Sequence, residues 1–171
     1  KMEAPEIKPE ETGKNLLVNG DFSDGNTGWD IVKRDDAIGT TVATEGGIVF
    51  KIADVGDEDW NAQLKQSGIT LEKGCQYRVK FKVTSTKART IKLGFMSESY
   101  NWYGGTNLEL PEAKEQEVVY EFTMEKDTDR NAVMTVSMGQ IYENDDKSKP
   151  INTPASDIIL TNFSLEKIGQ K

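Results

Sequence analysis

Period-two alternation of apolar and polar residues runs through most of the chain. The clearest stretch is Tyr77 to Val83, where Tyr77, Val79, Phe81 and Val83 fall on one side and Arg78, Lys80 and Lys82 on the other. Successive side chains of an extended chain point to opposite faces, so this pattern predicts a strand with one face buried and one open. Ile48, Phe50 and Ile52 repeat it, as do Ala62, Leu64 and Gln66 against Asn61, Gln63 and Lys65. Further runs follow at Ile91, Leu93 and Phe95; at Val118, Tyr120, Phe122 and Met124; and at Met134, Val136 and Met138. A last strand is expected from Ile158, Ile159 and Leu160 through Phe163 to Leu165. No segment carries a helical period with caps. Turn signals recur at Asp24-Gly25-Asn26, Glu45-Gly46-Gly47, Lys73-Gly74 and Gly104-Gly105. Many short strands so punctuated predict an all-β chain, a two-sheet antiparallel β-sandwich of jelly-roll type.

Composition changes this picture mainly at the ends. Residues 1–14 hold two prolines, many charges and few apolar residues, which predicts a linker or extended tail. The ordered domain is expected over 15–168, with a short tail at 169–171. One domain suits the 171 residues, and 36% hydrophobic with 29% charged residues is a globular balance. Glu143 to Lys149 reads as a solvated loop.

Charge narrows the partners. A net charge of -8 repels phosphate backbones and anionic lipid, so neither nucleic acid nor membrane insertion is expected. A neutral polysaccharide meets no such penalty. There is no histidine, which removes the commonest general base and zinc ligand. The single cysteine, Cys75, excludes an intrachain disulfide and reads as a small buried hydrophobe. The chain shows no phosphate-binding loop, and its 29 acidic residues lie mostly in turns or tails without distinctive spacing. These absences predict a chain that is not an enzyme. A small glycosidase would need two inward carboxylates on one groove.

The aromatic residues are more informative. Phe50, Tyr77, Phe81, Phe95, Tyr120 and Phe122 fall on predicted core faces, and Trp29 is expected to pack against the sandwich. Tyr100, Trp102 and Tyr103 instead crowd a short polar loop, Ser97 to Gly105. Three large rings are hard to bury there, and exposing them costs solubility, which points to a ligand. Trp60 stands just after three acidic residues, at a strand start. Flat rings stack on the C–H faces of sugars. Gln63, Thr135, Ser137 and Gln140 supply amides and hydroxyls that both donate and accept, matching sugar hydroxyls. The other use of such rings, to dock a partner protein in a structural or protein-interaction sandwich, stays open at this point.

Asn15-Leu-Leu-Val-Asn-Gly-Asp-Phe-Ser-Asp-Gly25 with Gly28-Trp29 resembles the opening of carbohydrate-binding modules of family 4 and the related families 9, 16 and 22. Trp60-Asn-Ala-Gln-Leu-Lys-Gln66, Gly68 to Gly74 and Tyr77 to Phe81 resemble their central signature, and Ile159 to Leu165 stands where they carry an Asp-Asp pair. The resemblance covers residues 15 to 168. It implies a jelly roll that binds a β-glucan, xylan or mannan chain in a groove on the concave sheet. It implies that Trp60 and Gln63, an aromatic of the Tyr100 to Tyr103 segment, and the strand with Thr135 and Ser137 contact the sugar. The groove arginine of some members is replaced near Lys92 or Gly94. The resemblance also implies a structural calcium site, with Asp21 and the backbone at Gly46 matching two positions and Thr161 standing where the third, usually an aspartate, is found. No other cofactor is expected. The implied setting is extracellular or at the cell surface, as one part of a larger multidomain protein.

Overall fold

A computed structural model describes residues 13–34, 40–44 and 47–170. Most of the expected linker, residues 1–12, and the expected metal position Gly46 lie outside the described residues. Among the described residues ten strands follow in chain order: β1 (Asp30–Lys33), β2 (Thr41–Thr44), β3 (Ile48–Ile52), β4 (Ala62–Leu71), β5 (Cys75–Ser85), β6 (Arg89–Met96), β7 (Trp102–Leu110), β8 (Gln116–Thr123), β9 (Asp129–Ser137) and β10 (Ser156–Gln170). They form two five-stranded antiparallel sheets, in the orders β1-β4-β9-β6-β7 and β2-β3-β10-β5-β8. The chain crosses repeatedly between the sheets, so each crossing packs one layer on the other, and the jelly-roll sandwich is as expected.

Alternation decides what lies between the sheets. In β5 the burial pattern alternates along all eleven residues, with Tyr77, Val79, Phe81 and Val83 in the core. Leu64, Leu93, Phe95, Met134 and Val136 meet them from the other sheet. Trp29 is buried as expected and stacks with Phe22 at 5.1 Å and packs on Phe163 at 4.9 Å; Phe163 in turn stacks on Phe81 at 4.6 Å. Buried rings of this kind carry much of a sandwich's hydrophobic stabilisation. Cys75 is buried, as its surroundings predicted.

The opening motif closes one edge of the core. The Asn15 carboxamide donates to the Phe163 carbonyl at 3.0 Å and accepts from the Leu165 amide at 2.9 Å. Gln66, buried among apolar neighbours, accepts from the Val18 amide and donates to its carbonyl. These bonds pair the backbone that would otherwise be buried without partners.

Two boundaries differ from expectation. β10 continues to Gln170, because Gly169 and Gln170 pair with Gln76 and Cys75, so the expected tail at 169–171 is strand through 170. The segment from Trp102 onward is β7 rather than loop. Its open stretch, rich in glycine and polar residues, hides the alternation, but it pairs along the whole of β6.

Candidate functional site

The outer face of the first sheet is a groove of about 610 Å³. Register builds its floor in rows across the strands. One row runs Asn107, Lys92, Ser137, Gln63 and Val32; the next runs Gly105, Gly94, Thr135, Lys65 and Asp30. Residues far apart in the chain thus stand side by side on one face. Gln63 donates its amide to the Ser137 hydroxyl at 2.9 Å. Thr135 and Ser137 line the groove although their neighbours bury most of their surface.

Aromatic rings flank this floor at both ends. Trp60 is 39% exposed and sits in a 3-10 turn, Asp59–Asn61, that leads into β4. The buried Asn61 side chain fixes that turn by accepting from the amides of Asp57 at 3.0 Å and Glu58 at 2.7 Å. Gly139 presses against it from the other side and donates its amide to the Asp59 carbonyl at 2.9 Å. A Cβ at Gly139 would come within 2.1 Å of the Glu58 carbonyl oxygen, so only glycine allows this approach. The Arg34 guanidinium lies 5.1 Å from the Trp60 ring centre, within cation–π range.

Trp102 is held differently. It is 46% exposed and lies over the backbone of two glycines paired across neighbouring strands, Gly94 and Gly105. A Cβ on either would reach its ring, at 2.7 Å from Gly94 and 2.6 Å from Gly105. The two glycines put no side chain there, and the indole fills the gap. The Tyr120 hydroxyl anchors Gly105 by accepting from its amide at 2.9 Å and donating to its carbonyl at 3.1 Å. Tyr100 stands at the tip of the β6–β7 turn. It is 80% exposed with φ of 70°, a left-handed conformation costly for a side chain with a Cβ. The turn is tied by the Tyr100 amide to the Ser97 carbonyl at 2.9 Å and by the Ser97 hydroxyl, which accepts from the amides of Ser99 and Asn101.

Charges lie inside the groove as well. Lys92 reaches Asp59 at 3.6 Å and Asp145 at 2.5 Å, and its ammonium is 5.2 Å from the Trp102 ring centre. Burial pushes the Asp59 carboxyl above the ordinary aspartate value, and Lys92 offsets part of that shift.

The expected residues therefore divide. Trp60, Gln63, Tyr100, Trp102, Thr135 and Ser137 line one groove. Tyr103 and Gln140 do not. Tyr103 packs on the core and its hydroxyl donates to Asp129 at 2.7 Å. Gln140 staples a loop, its amide donating to the carbonyls of Ile141 at 2.9 Å and Ile151 at 2.7 Å. Lys92, Asp59, Arg34, Lys65 and Met96 line the groove without having been singled out as binding residues. The available signal was parity: Lys92 and Met96 alternate with buried Ile91, Leu93 and Phe95. Of the expected calcium positions, the Asp21 carboxylate accepts from the Ser23 amide at 3.0 Å, which holds its pKa below the ordinary value. Thr161 lies against Gly47. Among the described residues no group of three or more acidic, cysteine or histidine side chains converges to hold a metal.

The carbohydrate binding domain family CBM_4_9 matches residues 14–149. The chain belongs to this family. Its members are non-catalytic polysaccharide-binding domains. A curated relative, cellulose 1,4-beta-cellobiosidase of Acetivibrio thermocellus, is 32% identical over 114 residues, which cover 63% of this chain but only 13% of that enzyme. Among solved structures, a CBM4 domain superposes with a TM-score of 0.70 at 21% identity, covering 89% of this chain and 99% of that one. The N-terminal cellulose-binding domain of Cellulomonas fimi β-1,4-glucanase C gives 0.63 at 17%, covering 92% and 100%. A domain solved with β-1,4-galactotriose gives 0.59 at 18%, covering 91% and 100%. At these identities the structural likenesses speak for the fold. Among the described residues no helix is long and apolar enough to cross a membrane.

Proposed function

We propose that this carbohydrate-binding domain holds a single chain of β-glucan, xylan or mannan type along the groove. Trp60, Trp102 and Tyr100 stack on sugar rings, and Gln63, Ser137 and Thr135 hydrogen-bond the hydroxyls. The observation that carries this reading is the half-exposed Trp102 indole packed against paired Gly94 and Gly105, on the same groove as a polar floor. Stacking rings over amides and hydroxyls suit a ligand that presents C–H faces and hydroxyls together. A cellobiosidase relative and a cellulose-binding structural neighbour support the glucan end of this range. The domain would act outside the cell, attached to a larger enzyme or surface protein, raising the local concentration of that partner on its glycan.

Affinity electrophoresis in gels carrying soluble β-glucan, xylan or mannan tests the proposal. Retardation in at least one gel, lost in Trp60→Ala and Trp102→Ala, is expected. Equal mobility in every gel, or retardation unchanged in both variants, would sink it. The protein-docking alternative predicts a convex cluster of rings, whereas these rings line a concave floor.

We further propose that calcium binding between the Asp21 segment and β10 is weak. The Gly20 carbonyl accepts from the Phe163 amide at 2.9 Å, so the segments do meet. Asp21 and the Thr161 hydroxyl, however, form a poor side-chain donor set for an ion that takes six to eight oxygens.

A further inference from the structure

We propose that Lys92 is a positioning residue that sets the two tryptophan platforms relative to each other, and that Asp145 clasps it from outside the groove. The inference rests on the groove being the glycan site. Lys92 stands mid-floor on β6, in register with Ser137 and Asn107. Its side chain is only 17% exposed. One ammonium reaches Asp59, which precedes Trp60 in the 3-10 turn, and lies over the ring of Trp102. A single charge therefore touches the mounts of both platforms.

The third contact is the telling one. Asp145 lies on the Tyr142 to Pro150 loop and is not among the residues lining the groove. It and Asn144 both adopt left-handed conformations, with φ of 57° and 51°. Two such residues in succession are strained. The strain is held because the loop is tied to the turn that carries Trp60: the Tyr142 hydroxyl donates to the Asp57 carbonyl at 2.5 Å, and Lys147 pairs with Glu58. An exposed ion pair contributes little stability on its own. A strained turn that delivers a carboxylate to a largely buried lysine makes sense if the lysine's position matters.

A lysine that merely hydrogen-bonds sugar would not need Asp145. That difference gives the test. Binding of laminarihexaose, cellohexaose, xylohexaose and mannohexaose is measured by calorimetry for the intact chain and for Asp145→Ala, Lys92→Gln, Lys92→Arg and the Asp145→Ala/Lys92→Gln double variant. Asp145→Ala is expected to weaken binding roughly five-fold, and the double variant to be no weaker than Lys92→Gln alone, because coupled residues are not additive. Lys92→Arg keeps the charge and restores most of the affinity. Asp145→Ala binding as tightly as the unmodified chain, or additive losses in the double variant, would overturn the proposal.

A measurement without sugar keeps the test independent of the glycan reading. The chain has three tryptophans, and Trp29 is buried in the core. In the ¹H–¹⁵N spectrum, Asp145→Ala is expected to move the indole resonances of Trp60 and Trp102 while Trp29 stays. Movement of Trp60 alone, or of neither, refutes the clasp. If the indoles move together but no hexaose binds the unmodified chain, the ligand assignment fails and the positioning role stands.

Discussion

The two ends of the groove present similar rings by opposite means. Trp102 belongs to a strand and rests on backbone, over a bed of two glycines in register. Trp60 belongs to a short turn that is held by hydrogen bonds to Asn61 and from Gly139, with the Arg34 guanidinium against the ring. The first mount depends on something being absent, a side chain on the sheet. The second depends on several groups being present at once. A bed of missing side chains is disturbed only by adding atoms to it, whereas a polar turn is disturbed by removing any partner.

The largest expected effect comes from removing a ring. Trp102→Ala and Trp60→Ala should each weaken glycan binding by about 2 kcal/mol, roughly thirty-fold. Both rings are partly exposed, so thermal melting should hardly move, and a matched drop in melting temperature would argue that the rings serve the fold instead. Next comes Asn61→Ala. It removes the acceptor from the partly buried amide bonds of Asp57 and Glu58 and should cost about 2 kcal/mol of stability in urea unfolding, with binding weakened alongside. The same experiment on the other mount should separate the two properties. Gly94→Ala puts a Cβ under the indole and should cost about ten-fold in affinity through a tilted ring, while the urea midpoint stays nearly constant. If Gly94→Ala and Asn61→Ala behave alike, the contrast between the mounts is wrong.

Acidity should sharpen the contrast further. Burial raises the Asp59 pKa, so the folded chain takes up this proton at a higher pH than the unfolded chain does. Through the window just above the ordinary value of 3.8, this group makes stability rise as pH falls. The same proton removes the charge that Lys92 meets, so affinity should fall in that window. Relative to Asp59→Asn, stability and affinity should therefore move in opposite directions, as melting and calorimetry at stepped pH will read. Calcium should matter least. Millimolar calcium should raise the melting temperature by about 2 °C or less, and Asp21→Ala should abolish even that.

Much of the fold was legible because strands with one buried face announce themselves by parity, as Tyr77 to Val83 does. The groove was legible where a residue stood out by type, as Trp60 and Trp102 did. Parity did not distinguish Trp102 from Tyr103. A register shift between Phe95 and Met96 decides which of them faces outward, and that shift belongs to the pairing of β6 with β7 rather than to either strand alone. Gln140 was misplaced for a related reason. β9 ends at Ser137, and beyond a strand end the alternation no longer says where a side chain points. Lys92 escaped notice because its meaning lies in Asp59 and Asp145, each distant in the chain.

The bed beneath Trp102 also bears on time. Its backbone geometry exists before any sugar arrives, so capture at that end need not wait for a loop to order. Preformed platforms leave association close to the rate of encounter and push differences between ligands into their residence times. Glycans that this domain distinguishes should then differ chiefly in how long they stay.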